Sequence, residues 1–280
     1  MKAKFLIILL VIAAFTVNAQ KFHVTVFGGF ANYQGDLQDK RFTLNQSHPA
    51  FGAGLLYEIS DKFYGRANVT FGKVSGDDKN NFKNAARNLN FSSPVTDIHL
   101  GLQYHILNPY LHALSPYVFA GISHFSFNPS TKDTLGRKVY LQPLSTEGQG
   151  FYQDRKKYNL SQFSIPFGGG LTFSLSEKIR VGVEIGLRKT NTDYLDDVST
   201  TYVDQTLLFN NRGQQAVDLA FRGDELKTGS AYPADGAQRG SAKSKDWYYF
   251  SGFNLSIRLG DGSNGGGGGK SKMGCPTNIY

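Results

Sequence analysis

One stretch of twelve residues, 177–188, constrains the fold of this chain more than any other. It reads EKIRVGVEIGLR, so aliphatic positions alternate strictly with charged residues or glycine. Because successive side chains of a β-strand point to opposite faces, this segment predicts a strand with one aliphatic and one charged face. Residues 246–259 repeat the pattern and begin with aromatic residues. Such strands, about ten residues long and apolar on one side only, are typical of outer-membrane β-barrels.

The same alternation predicts eight strands, and the links between them alternate in length. The predicted strands are 22–30, 51–59, 62–73, 95–106, 116–127, 162–175, 177–188 and 246–259. In the fifth strand both faces are apolar, so its facing stays open. The short links are 60–61, 107–115 and 176–177, and the long ones are 31–50, 74–94, 128–161 and 189–245. Short periplasmic turns and long outer loops are a rule of bacterial barrels, so we expect an all-β, eight-stranded antiparallel outer-membrane barrel with both chain ends in the periplasm. The competing fold is a soluble lipocalin-like barrel, which would turn the aliphatic faces inward.

Both ends of the chain differ in composition from the predicted barrel. Residues 1–19 contain two lysines, an apolar run and a small-x-small site ending at Ala19, which predicts a secretory signal peptide. Its removal takes the formal net charge from +8 to +6, an excess too modest to indicate nucleic-acid binding. Residues 260–280 begin with a Gly-rich linker, so we predict a barrel domain at 20–259 and a flexible periplasmic tail at 260–280.

The predicted inner face carries charges of both signs. An eight-stranded barrel is only wide enough inside for its own side chains, and charges enclosed there need partners. We therefore expect a plugged lumen with an ion-pair network, in which Glu184 pairs with one or more arginines. The charged members are Glu58, Arg66, Arg180, Glu184, Arg188 and Arg258, together with His23 and His99. Inner-face glycines would make room for these long side chains.

Three further features have alternative interpretations. Residues 191–204 hold four aspartates, but their spacing is not that of an EF-hand, which favours an ordered acidic cap over a Ca²⁺ site. His124 and Ser126 lie near the outer end of a strand, where a lipid-modifying enzyme would also need an acid that the pattern does not supply. We expect no catalytic site, metal site or cofactor. Cys275 is the only cysteine, so it forms either an intermolecular disulfide or a free thiol.

Two motifs and the tail resemble the PorG family, outer-membrane barrel components of the type IX secretion system. The motifs are YQGDL at residues 33–37 and EIGLRKTNTDYLDDVS at 184–199, and a Cys-Pro pair follows near the C-terminus. The resemblance covers about residues 22–259. It draws attention to the outer-loop residues Gly35, Asp36, Asp193, Tyr194, Asp196 and Asp197, and to the tail residues Cys275, Pro276 and Tyr280.

The resemblance implies a non-enzymatic role in the outer membrane, among its lipids and without nucleic acid. Such a protein ties a periplasmic ring, built from a PorK-like lipoprotein and a PorN-like partner, to the membrane. The outer-loop motif lies on the opposite side of the membrane from that ring, so ring contact is not expected of its aspartates. The alternatives are a structural or adhesive surface barrel of the OmpA-like type and, less favoured, a lipid-modifying barrel enzyme.

Overall fold

A computed structural model describes residues 21–38, 43, 45–80, 84–153, 155–227 and 229–260, and it confirms the eight-stranded antiparallel barrel. The predicted signal peptide and the tail beyond residue 260 lie outside the described residues. The strands are β1 (Phe22–Gln34), β2 (His48–Glu58), β3 (Phe63–Asp77), β4 (Asn90–His105), β5 (Leu114–Phe127), β6 (Ser130–Lys132), β7 (Lys138–Tyr140), β8 (Ser161–Ser174), β9 (Ile179–Thr190) and β10 (Trp247–Arg258). Strands β6 and β7 form a small hairpin, and the other eight form the barrel. The barrel closes where β1 pairs antiparallel with β10.

The exterior of the barrel is apolar and the interior is polar, as the alternation predicts. Strand β5, whose facing the sequence left open, turns Val118 and Ile122 outward and buries Tyr117 and Phe125. Exterior aromatic residues lie in two bands. The periplasmic band includes Phe22, Tyr57, Phe63 and Tyr104, and the outer band includes Phe51, Phe71, Phe167 and Trp247. An apolar belt between two aromatic bands, on a closed sheet that pairs its own backbone groups, is the construction of a barrel that spans the outer membrane.

The long outer links fold into a packed cap, of which the sequence predicted an ordered acidic part at residues 191–204 but no helices. The last of these links contains two helices, α1 (Gln205–Arg212) and α2 (Gln214–Ala220). The carboxylate of Asp204 caps α1 by accepting a hydrogen bond of 2.8 Å from the backbone N–H of Leu207. A small apolar core holds the helices together, formed by Val203, Leu208, Ala216, Val217 and Ala220. No helix in the described residues is long and apolar enough to cross a membrane.

Candidate functional site

The centre of the lumen is an ion pair between Arg66 on β3 and Glu184 on β9. Two hydrogen bonds of 2.6 and 2.8 Å join the guanidinium to the carboxylate, and the Tyr117 hydroxyl donates a third of 2.7 Å. The guanidinium also lies 4.1 Å from the centre of the Phe119 ring. Around the barrel β3 and β9 are four strands apart in either direction, so this pair joins opposite walls. Of the four arginines predicted as candidate partners of Glu184, Arg66 forms the ion pair with it.

A second ion pair lies nearer the outer end of the lumen. Arg188 on β9 lies 3.5 Å from a carboxylate oxygen of Asp97 on β4, and the Tyr248 hydroxyl donates to the other oxygen at 2.6 Å. The Arg188 guanidinium also stacks at 4.6 Å on the ring of Phe250. Asp97 is not among the predicted lumen charges, although the alternation of its strand puts it on the same inner face as His99.

A third group of charges closes the periplasmic end of the lumen. Glu58 lies 3.7 Å from Arg258 and 3.5 Å from the ring of His23. Tyr110, from the link between β4 and β5, donates its hydroxyl proton to Glu58 at 2.5 Å. Arg180 lies 4.6 Å from the centre of the Tyr110 ring, so it contacts an aromatic face rather than Glu184.

The link that carries Tyr110 crosses the periplasmic mouth. The side chain of Asn108 donates to Asp61 in the β2–β3 turn at 3.1 Å, and the Ser174 hydroxyl at the end of β8 donates to the carbonyl of Pro109 at 2.9 Å. Above this link, a cavity of about 40 Å³ remains beside the central ion pair. That volume holds about one to three water molecules. The lumen is therefore filled by side chains, and no pattern in the sequence indicated that Tyr110 contributes.

The outer-loop motifs meet in the cap around the hydroxyl of Tyr33. It donates to Asp196 at 2.5 Å and lies 3.3 Å from a carboxylate oxygen of Asp246, so two buried carboxylates face a single hydroxyl proton. The backbone N–H of Leu195 donates to Asp246 and that of Val198 donates to Asp196, each at 2.9 Å. Burial, followed by repulsion from neighbouring carboxylates, raises the pKa of Asp196 and of Asp246 well above the ordinary range.

Gly35 has a steric reason to be glycine. A side chain there would overlap the carboxylate of Asp246 and the hydroxyl of Tyr33. The next residue, Asp36, accepts a hydrogen bond of 2.9 Å from the backbone N–H of Ser241. The YQGDL motif thus holds the start of the first outer link against the chain that enters β10.

Glu147 and Arg239 form an ion pair in another part of the cap, and neither is among the predicted site residues. The Arg239 guanidinium is 3.0 Å from the Glu147 carboxylate, which also accepts a hydrogen bond of 3.1 Å from the Tyr194 hydroxyl. Asp197 lies 3.9 Å from Arg239 and accepts from the Tyr158 hydroxyl at 2.6 Å. Burial raises the pKa of Asp197 to about 6, and the positive charge of Arg239 opposes that rise.

Asp193 has the least compensated carboxylate of the motif. One oxygen accepts from the Ser199 hydroxyl at 2.8 Å, and the other has no hydrogen-bond partner among the described residues. Burial raises the pKa of Asp193 to about 7; Ser199 and Lys245 lower it, while Asp36 and Glu147 raise it. Within the described ranges no group of three or more His, Cys, Asp or Glu side chains is arranged to hold a metal ion. The geometry agrees with the ordered acidic cap that the sequence favoured.

The remaining candidates lie apart from these clusters. His124 is on the barrel exterior, where its Nε2 is 2.9 Å from the Ser161 hydroxyl, and Ser126 is opposite Ser161 in the sheet. In the part of the chain that the structure describes, no carboxylate forms a hydrogen bond or ion pair with His124. Cys275, Pro276 and Tyr280 lie outside the described residues.

Comparisons with known proteins give one family and several distant structural likenesses. Neisserial surface protein A matches with a TM-score of 0.42 and 10% identity over 85% of this chain and 97% of that one. Ail of Yersinia pestis, in complex with the heparin analogue sucrose octasulfate, matches with a TM-score of 0.41 and 9% identity over 85% and 97%. OprG of Pseudomonas aeruginosa matches with a TM-score of 0.39 and 12% identity over 86% and 98%. These likenesses are too distant to support a statement about function.

No curated protein matches the chain in sequence. A family model described as a domain of unknown function, DUF6089, matches residues 2–216, which is more than half of the chain. The chain therefore belongs to the DUF6089 family.

Proposed function

We propose that this protein is a non-enzymatic component of a type IX secretion system that fastens a periplasmic ring to the outer membrane. The ring would consist of a PorK-like lipoprotein and a PorN-like partner. The observation that carries the proposal is the filled lumen. Ion pairs and the link that carries Tyr110 occupy the lumen. This favours a protein that binds partners at the two ends of its barrel over one that conducts a solute through it.

The direction in which the chain leaves the barrel supports a periplasmic contact. The backbone N–H of Leu259 donates to the carbonyl of Phe22 at 2.7 Å, on the side of the short turns. Fifteen residues, 260–274, separate Leu259 from Cys275 in the sequence, and they are rich in glycine. A Gly-rich chain of that length has a mean reach of roughly 21 Å and a fully extended reach of about 50 Å. It would bring Cys275 to a ring lying just beneath the membrane, and a disulfide there would make the tether permanent.

Deletion of the gene tests the role, and a truncation tests the tail. We expect the deletion strain to retain type IX cargo inside the cell, and the tagged full chain to co-purify with the ring lipoprotein from detergent-solubilised membranes. A chain that ends at residue 260 should still give the heat-modifiable gel mobility of a folded barrel but should recover less of the ring. Normal cargo export in the deletion strain would refute the proposal. Lost export with full ring recovery by the truncated chain would reject only the tail as the contact.

The packed cap favours a second candidate, a structural or adhesive surface barrel. Cap and barrel are joined by buried pairs such as Tyr33–Asp196, and the cap exposes Phe209 on α1. A deletion strain with normal export but reduced attachment to surfaces would support this alternative. Altered lipid A mass spectra in the same strain would instead support a lipid-modifying enzyme, for which the Ser161–His124 contact is the starting point.

A further inference from the structure

The hairpin β6–β7 carries two lysines that directly face each other. Lys132 and Lys138 are opposite residues in the antiparallel pair, so their side chains share one face of the hairpin. Tyr140 lies two residues further on the same face, and the Lys138 ammonium is 4.7 Å from the centre of its ring. Like charges at directly opposite positions destabilise a strand pair. An anion bound from outside the hairpin would therefore relieve this repulsion.

The hairpin's own acid is already engaged. Asp133 is the only acid between residues 130 and 140, and it accepts from the Arg137 side chain at 2.8 Å and from two backbone N–H groups of the turn. Among the described residues, no carboxylate lies within 4.0 Å of either lysine ammonium. Arg222 in the cap donates to the backbone carbonyl of Lys132 at 2.9 Å and so ties the hairpin to the cap. The backbone that carries the two exposed lysines is thus fixed, and neither ammonium has a carboxylate partner among the described residues.

Exposed apolar groups accompany these charges. Leu135 at the tip is 73% exposed and Tyr140 is 44% exposed. The hairpin joins the barrel where Ser130 pairs with Ser92, four residues beyond Thr96, which lies opposite Phe71 of the outer aromatic band. With about 3.3 Å per residue and a strand tilt near 40°, its base is roughly 10 Å above that band. This is the height of the headgroups of the outer leaflet, within reach of a lysine side chain.

We propose that the face formed by Lys132, Lys138 and Tyr140 binds the phosphate groups of outer-leaflet lipids. The two ammonium groups would supply the charge attraction, while the Tyr140 ring, opposite Ser130 at the base of the hairpin, would enter the interfacial layer. Because the base of the hairpin lies at headgroup height, the phosphate groups of lipids are the anions positioned beside this face. For that reason the observations favour a lipid over a soluble polyanion.

A titration of the purified full chain in non-ionic detergent with bis-phosphorylated lipid A tests the proposal. The double variant Lys132→Gln/Lys138→Gln should bind about 25-fold more weakly, taking about fivefold for each lysine at an anionic surface. Lys156→Gln/Lys157→Gln is the matched control, because these two lysines are also exposed in the outer links. The control should bind like the unaltered chain, and heat-modifiable mobility should show that all three proteins are folded.

Comparing phosphorylated lipid A, dephosphorylated lipid A and a soluble polyanion tests whether the face binds lipid phosphate groups. We expect dephosphorylated lipid A to bind the unaltered chain about as weakly as phosphorylated lipid A binds the hairpin variant. Equal affinity for the two lipids, or equal losses in the hairpin and control variants, would overturn the proposal. Binding of a soluble sulfated polysaccharide that depends on both lysines, without binding of lipid A, would assign the face to a soluble polyanion and would also overturn it.

Discussion

Replacement of Glu184 by leucine tests whether the central ion pair holds the barrel walls together. The variant loses both hydrogen bonds to Arg66 and the one from Tyr117. Arg66 is only 8% exposed, and its remaining side-chain acceptors are the neutral amides of Gln103 at 3.4 Å and Asn68 at 2.8 Å, neither of which balances its charge. Because an uncompensated buried charge is left behind, we expect the free energy of unfolding to fall by about 3–5 kcal/mol.

Removal of both charges separates the cost of the orphaned arginine from the value of the pair. In Arg66→Met/Glu184→Leu no charge is left unpaired, and apolar replacements of buried pairs are often close to neutral. We therefore expect the double variant to recover most of the stability that Glu184→Leu loses. The Tyr117 hydroxyl keeps the side-chain amide of Asn254 as a donor at 2.9 Å in both variants, so its contribution largely cancels between them.

Urea unfolding of the refolded chain in detergent micelles measures these differences. Trp247 is the only tryptophan, so its fluorescence reports on the barrel wall, and heat-modifiable mobility gives a second signal. Glu177→Gln, in an exposed periplasmic turn, is the matched control and should change stability by less than about 0.5 kcal/mol. The reasoning would be refuted if Glu184→Leu were as stable as this control, or if the double variant were no more stable than Glu184→Leu.

Three other predictions concern the cap and the tail. Because the folded cap raises the pKa of Asp193 to about 7, this group stabilises the cap fully below the ordinary carboxyl pKa near 4, and the contribution is lost as the pH rises to about 7. The protection factors of amides in the outer links, which are exchange rates corrected for their intrinsic pH dependence, should fall from pH 5 to pH 8, and Asp193→Asn should reduce that fall; an unchanged fall in the variant would contradict the assignment. Gly35→Ala should loosen the cap by about 1–3 kcal/mol, since the new methyl group displaces Asp246, and unaltered exchange would argue against this close contact. Non-reducing gels of thiol-blocked membranes should show a larger species that disappears with reductant and with Cys275→Ser, whereas a purely monomeric chain would exclude the tether.

The strands and most of their facings could be predicted because period-two alternation is a local property. Strand β5 is the exception, since both of its faces are apolar. Its facing depends on complementary sizes across the barrel. Phe119 fills the space beside Gly168 on β8 and Gly186 on β9, where an added methyl group would lie 2.9 Å from its ring. A pattern within one strand contains no information about such a partner.

The cap shows a second limit of sequence reasoning. The aspartates of residues 191–204 predicted an ordered acidic cap, but their partners are remote. Glu147 lies 92 positions before Arg239 in the sequence, and Tyr33 lies 163 positions before Asp196. Irregular links have no period from which such pairs could be derived. Only the unusual concentration of acids, together with the glycine of YQGDL, could have indicated that this region is packed.

The positions of the lumen ion pairs Arg66–Glu184, Asp97–Arg188 and Glu58–Arg258 bear on the proposed mechanical role. Arg66 and Glu184 join strands on opposite walls, Asp97 and Arg188 join strands three apart, and Glu58 and Arg258 join strands two apart. Opening a passage along the axis would separate Arg66 from Glu184. That separation costs about as much free energy as leaving one of the two charges without a partner. A deformation that flattens the barrel would break the same contacts. The charges therefore oppose both opening and distortion, which is what the proposed role as a fixed attachment point in the membrane would require of the barrel.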